Sequence, residues 1–375
     1  MSTSQKEKKS LFDNPLLSTK VKSANVKTPE LLFGYLIGPF GALLASGIFT
    51  SFLNRYWTDV LFANYRVETI VDGETVLQLP ADSPISIFLS LLPLISTILI
   101  VAGNLVVGQL IERTKTKAGK ARPWLLLSSV LLAVACIVLF IAPMGNGTDT
   151  PVLTMILTAI AYNIYYSVAY PMYNTANSTL VPVSTRNSSQ RGLLASFENF
   201  AHLGVMGAGG MIFPTIVSLF LGGWDAPNAA AWTITFVVIG IVTFLFVVLQ
   251  YYFTRERVTE ESFKADSDIA NAVGEEKKSI SLGKQFKAVG SDAFWWIVII
   301  FYLIFQFSGS LKNMSCTYFC DRFDGTMFAD FSMTIINVLG AVPMAIAMAF
   351  IWPLSRKYGK RIVVMVGLLI GAVGG

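Results

Sequence analysis

Residues Gly108–Trp124 read GQLIERTKTKAGKARPW. Arg113, Lys115, Lys117, Lys120 and Arg122 crowd this loop, and a long apolar segment runs into each end of it. Cytoplasmic loops that join membrane spans retain Lys and Arg in this way, so the loop fixes an orientation for its surroundings.

A bilayer core takes about 20 apolar residues as helix. Outward from the loop, segments 31–61, 85–111, 124–142, 152–178, 192–221, 231–253, 294–319, 330–354 and 362–375 fit, the last only in part. With the N-terminus inside, the cytoplasmic stretches are 1–30, 112–123, 179–191, 254–293 and 355–361. They hold all of the 28 Lys and Arg except Arg55, Arg66, Lys312 and Arg322. A missing or extra span would scramble that division. The opposite loops lean acidic, with Glu68, Asp72, Glu74, Asp82, Asp149 and Asp225.

Composition agrees. Of the 375 residues, 54% are hydrophobic and 14% charged, against roughly 25% charged in soluble domains. The reading is an all-α, multi-pass membrane protein whose surroundings are a lipid bilayer. The formal charge of +5 serves topology, so no nucleic-acid partner is expected. Cys136, Cys316, Cys320 and the single histidine, His202, are too sparse for a metal site. No Gly-rich nucleotide loop or nucleophile triad occurs, so neither a cofactor nor an enzymatic activity is expected.

The chain divides into a cytoplasmic tail (1–30), a six-helix half (31–253), a cytoplasmic central loop (254–293) and an incomplete second half (294–375). In the central loop Ile280, Leu282, Phe286 and Val289 are interspersed with Lys284 and Lys287. That pattern predicts a short amphipathic helix at the membrane surface. Pro353–Val364 repeats the basic, Gly-containing character of the opening loop, as duplicated transporter halves do.

These residues resemble the major facilitator superfamily, and within it the glycoside–pentoside–hexuronide:cation symporters, the melibiose-carrier group. The resemblance is carried by Glu112-Arg113-Thr114-Lys115-Thr116 and Gly119-Lys120-Ala121-Arg122-Pro123-Trp124. Supporting blocks are Gly34-Tyr35, Gly38-Pro39-Phe40-Gly41, Tyr56-Trp57-Thr58-Asp59-Val60, Leu180-Val181-Pro182 and Thr254-Arg255-Glu256-Arg257-Val258. It implies a major facilitator fold of twelve helices, so that this chain would hold eight complete transmembrane helices plus a truncated ninth, with the N-terminus cytoplasmic. It also implies a gating role for Glu112, Arg113, Lys120 and Arg122, which would lock one half against the other.

The chain departs from the family where coupling ions bind. The acidic positions of helix two correspond to Ile100 and Asn104, that of helix one to Leu43 and that of helix four to Asn174. The basic position of helix five falls near Asn199. A hard cation needs several oxygen ligands with carboxylate charge among them. Ile100 gives none and Asn104 a single neutral carbonyl, so the Na⁺ site reads as disabled.

Other polar residues remain in the spans. Tyr166, Tyr170, Asn174 and Asn177 are spaced four, four and three apart, which predicts one polar face on helix four. Rings and amides suit a polyhydroxylated ligand, and Asn199, Lys312 and Asn313 extend the candidate substrate set. The same amides also serve interhelical hydrogen bonding. Glu198 and His202 lie one turn apart at membrane depth, where ionisable residues carry function. With Asn104 they are the coupling candidates, Glu198 and His202 for a proton. Arg55 and Asp59, at i and i+4, read as an intrahelical pair at the interface.

The expected function is secondary transport of a sugar, glycoside or glycuronide by alternating access, in a monomer of the plasma membrane (the inner membrane of a bacterium). The coupling ion, H⁺ or Na⁺, stays open. The alternatives are a facilitator of another small solute and a non-transporting sensor or scaffold.

Overall fold

The computed structural model describes residues 11–71, 74–144, 151–221, 229–262, 282–321, 346–347 and 350–374. Most of the expected eighth span, 330–354, and of the central loop lies outside them. Met1–Lys264 with Met348–Gly375 form one compact unit and Ala265–Ala347 a second.

In the first unit, helix α1 begins as a π-helix, Glu30–Ile37, continues as the α-helix Gly38–Tyr56 and ends as a second π-helix, Trp57–Leu61. Strands β1 (Val67–Val71) and β2 (Glu74–Gln78) follow as an antiparallel hairpin, with Val67 opposite Gln78 and Thr69 opposite Val76. Helix α2 spans Pro84–Arg113 and α3 spans Arg122–Met144. Helix α4 runs through Pro151–Asn163, a π-helix at Ile164–Ala169, and Tyr170–Ser184. Helices α5 (Ser188–Phe220) and α6 (Ala229–Phe253) complete the group. Each covers an apolar segment expected from the sequence. The hairpin is the departure from an all-helical reading. Its alternating Val, Thr and Leu around Asp72-Gly73 were a legible strand signal.

Helix α1 packs against α5 and α6, α3 against α6, and α2 against α4. The glycines quoted in α1 permit this. A Cβ at Gly38 would stand 2.7 Å from the Cβ of Gln250 on α6, and Gly41 meets the Phe246 ring. Small residues let helix backbones approach where lipid gives no hydrophobic drive to associate. Phe49, Tyr56, Phe140, Trp232 and Phe236 fill the core between α1, α3 and α6, with Tyr56 and Trp232 ring centroids 5.1 Å apart. Leu94 and Ile98 on α2 are 69% and 73% exposed, as side chains in contact with lipid are. Residues 350–358 are helical, and α9 spans Lys360–Gly374. The Trp352 indole donates to the Ser189 carbonyl (3.0 Å) at the start of α5.

The second unit holds α7 (Leu282–Gly290) and α8 (Ala293–Asp321). Helix α7 coincides with the expected amphipathic helix. Asp292 caps α8 by accepting from the Phe294 N–H (2.9 Å).

Candidate functional site

Two polar constellations occupy the first unit. The first centres on Glu256, which sequence reasoning passed over except as part of a family block. Its carboxylate is 1% exposed. It accepts hydrogen bonds from the backbone N–H groups of Lys120 (2.8 Å), Ala121 (2.9 Å) and Arg122 (2.8 Å), and from the Thr259 hydroxyl (2.9 Å). The first turn of α3 leaves such N–H groups unpaired, and its dipole favours an anion there. Glu256 thus caps α3 from a distant part of the chain. Gly119 makes room: its φ is +119°, and a Cβ there would collide with the Glu256 carboxylate.

The rest of the basic loop is held similarly. The Arg122 guanidinium donates to the Tyr251 carbonyl (Nε 3.3 Å, Nη2 3.0 Å) and to the Ala118 carbonyl (3.0 Å), and lies over the Tyr251 ring at 4.4 Å. The Trp124 indole donates to Thr114 (2.7 Å), and Thr116 to the Gly119 carbonyl (2.7 Å). Arg257 pairs with Glu30 through two short contacts (2.9 and 2.7 Å) and donates to the Ser184, Ser23 and Asn25 carbonyls. Arg255 binds Glu260 (2.7 Å) and the carbonyls of Lys22 and Ser23. The bond to Glu260 raises the Arg255 pKa above its ordinary value. Of the expected gating set, Arg122 is therefore committed to α6 within this unit. Glu112 and Lys120 form a 3.5 Å pair at the surface, and Arg113 is exposed.

The second constellation lies within the helices. Tyr173 on α4 donates to Gln250 Oε1 on α6 (2.9 Å). Gln250 Nε2 donates to Asn177 Oδ1 on α4 (2.6 Å), and Asn177 Nδ2 to Glu198 Oε1 on α5 (2.5 Å). Tyr173, Gln250 and Asn177 are fully buried, whereas Glu198 is half-buried. Every donor in this chain points toward the carboxylate, so the row has one direction. Gln250 and Tyr173 were missed by sequence reasoning. The signal for Gln250 was a lone amide inside the apolar run Phe246–Phe253.

The polar face expected on α4 divides. The division falls within the regular α-helix Tyr170–Ser184, where Asn177 lies about 60° around the axis from Asn174. Tyr166, Tyr170 and Asn174 remain half-buried, with the Tyr166 and Tyr170 ring centroids 6.3 Å apart, while Asn177 turns inward to Gln250. Asn199 is exposed and His202 half-buried. The hydrogen bond to Glu198 comes from Asn177, not from His202. Asn104 donates to its own helix at the Ile100 carbonyl (2.9 Å) and accepts from Thr175 (3.3 Å). One N–H and one lone pair of that exposed amide are used by protein groups. The side chains of Lys312 and Asn313 lie outside the described residues. Among the described residues no cluster of His, Cys, Asp or Glu could hold a metal.

A bundle of apolar helices stapled on one face, with an interior row of polar groups ending on a carboxylate, defines a polytopic membrane protein with a polar centre. The family model described as "MFS/sugar transport protein" matches residues 34–375, and the chain belongs to that family. The isoprimeverose transporter of Lactiplantibacillus pentosus is 26% identical over 71% of this chain and 51% of its own length. The raffinose carrier protein of Pediococcus pentosaceus is 23% identical over 72% and 40%, and the lactose permease of Lactobacillus helveticus 22% identical over 64% and 36%. Within the superfamily these relatives are those of the glycoside–pentoside–hexuronide:cation symporters. The matched chain spans about half the length of the isoprimeverose transporter and less of the other two.

Proposed function

We propose that this protein moves a sugar, glycoside or glycuronide across the plasma membrane by alternating access. Its N-terminus is cytoplasmic, and eight spans and the start of a ninth thread the bilayer as the Lys and Arg division requires. Substrate sits against α4 and α5, where the Tyr166 and Tyr170 rings cover its apolar face and Asn174 and Asn199 meet its hydroxyls. The observation that carries the reading is the row Tyr173, Gln250, Asn177, Glu198. It places one amide donor, Asn177, itself held through Gln250 and Tyr173, on a partly buried carboxylate that keeps acceptor capacity for a hydroxyl. The printed names of the relatives, carriers of isoprimeverose, lactose and raffinose, support the substrate class.

Coupling does not use the family's Na⁺ position, because Ile100 offers no ligand and the Asn104 amide is bonded to Ile100 and Thr175. A second reading, favoured by the directed row, is proton coupling at Glu198, with His202 one turn away on the same helix. Uptake of radiolabelled lactose, isoprimeverose and raffinose by vesicles carrying the protein tests both. The expected result is uptake independent of a Na⁺ gradient. Stimulation by an inward proton gradient, lost in Glu198→Gln, assigns the proton to Glu198; equal uptake with and without that gradient makes the protein a facilitator. Absence of uptake of all three sugars under every gradient overturns the proposal.

A further inference from the structure

A cleft of about 310 Å³ lies at the far end of the first unit from the basic loop, one 30-residue helix away. The last turns of α1, the first turns of α2 and strand β2 line it, and it opens to the surface. One wall is polar: Asn54, Thr58, Asp59, Arg66, Gln78 and Ser86. Leu77, Leu79 and Leu89 supply an apolar patch. The polar groups are held before any ligand arrives. Asp59 accepts from Arg55 Nε (3.1 Å) and from Thr58 (2.8 Å), which fixes both carboxylate oxygens and leaves lone pairs on each. Arg66 Nε is turned back onto the Ala63 carbonyl (3.4 Å). The Ser83 hydroxyl caps α2 at the Ser86 N–H (3.2 Å) and donates to the Ser86 hydroxyl (3.1 Å).

We propose that this cleft is a carbohydrate-binding site separate from the central one, capturing a mono- or disaccharide at the outer mouth of the carrier. The volume is at the small end of ligand pockets, which begin near about 300 Å³. Both charge signs line the wall, so neither an anion nor a cation is selected. Amides, hydroxyls and a fixed carboxylate together match a ligand whose hydroxyls both donate and accept. The leucine patch suits the C–H face of a pyranose ring. The inference takes its ligand class from the sugar-transport reading, and the experiment separates the two.

Ser90 lines the cleft and is exposed. In vesicles carrying the protein with Cys316→Ser and Cys320→Ser, Ser90→Cys gives one accessible thiol, since Cys136 is buried. Its alkylation rate is read with lactose as the probe and glycerol at matched osmolality as the control. At lactose ten times its apparent Kd, alkylation slows about tenfold. Gln78→Trp fills the cleft from an exposed strand position and abolishes the slowing, while Glu198→Gln leaves it intact. Unchanged alkylation in vesicles that do accumulate lactose overturns the cleft and leaves the transport reading standing. Protection in vesicles that accumulate no sugar supports the cleft and overturns transport. Loss of protection in both variants overturns the separateness of the two sites.

Discussion

Glu256 and Glu198 are both carboxylates held by nitrogen donors from other helices or loops, yet their surroundings differ. Glu256 is buried and takes four hydrogen bonds, three of them from consecutive N–H groups at the start of α3. Beside it, Arg257 and Glu30 bury an ion pair whose guanidinium also reaches the Ser23, Asn25 and Ser184 carbonyls. Little capacity remains there for an external ligand. Glu198, half-buried, takes one hydrogen bond, from Asn177, and keeps the rest of its acceptor capacity. The difference teaches that saturation, rather than charge or depth, separates a staple from a site. The saturated Glu256 ties the start of α3 to the segment after α6, and the Arg257–Glu30 pair ties that segment to the start of α1 and the end of α4. An unsaturated carboxylate leaves capacity for something that comes and goes.

The sharpest way to break this comparison is Arg257→Ala. It strands the Glu30 carboxylate in a buried position, and the unfolding free energy in detergent should fall by about 3–5 kcal/mol. A loss under 1 kcal/mol, read by denaturant unfolding, would mean the pair is not structural. Gly119→Ala comes next, at about 2 kcal/mol or more. It combines a left-handed backbone position with a Cβ driven into the Glu256 carboxylate. If the collision is the cause, Glu256→Ala, which removes the colliding atoms, should cost less in that background than in the wild type. Gln250→Leu removes the middle of the interior row. Interhelical hydrogen bonds in membranes average near 0.6 kcal/mol, so stability should drop by only about 1 kcal/mol while lactose uptake falls sharply. Glu198→Gln should leave the unfolding midpoint nearly unchanged, because the amide oxygen still accepts from Asn177; its effect belongs to uptake. Smallest is Arg55→Ala. Its partner Asp59 is at 3.1 Å but the Arg55 side chain is 54% exposed, and exposed pairs are worth about 0–1 kcal/mol.

Much of the fold was legible. The apolar runs gave α1 to α6, α8 and α9 because a bilayer demands a long helix of a kind that no soluble domain repeats so often. The loop block was legible as a family mark, but its physical role was not. Arg122, expected in a gate between halves, is bonded to the Tyr251 carbonyl, about 130 positions on by sequence. The candidate site was half legible. Glu198 and Asn177 drew attention as polar groups in apolar segments. Their partner Gln250 did not, and the α4 face was drawn to include Asn177, which lies about 60° around the axis from Asn174 and turns inward to Gln250.

Hydropathy is a sum over local residues, so the sequence alone determined the membrane class and where the long apolar helices run. Which carboxylate is saturated and which is open depends on donors brought from distant segments. Glu256 meets its N–H groups only when α3 docks beside the end of α6, and Glu198 meets Asn177 only when α4, α5 and α6 pack together. Those meetings are set by helix packing, and only the tertiary structure decided them.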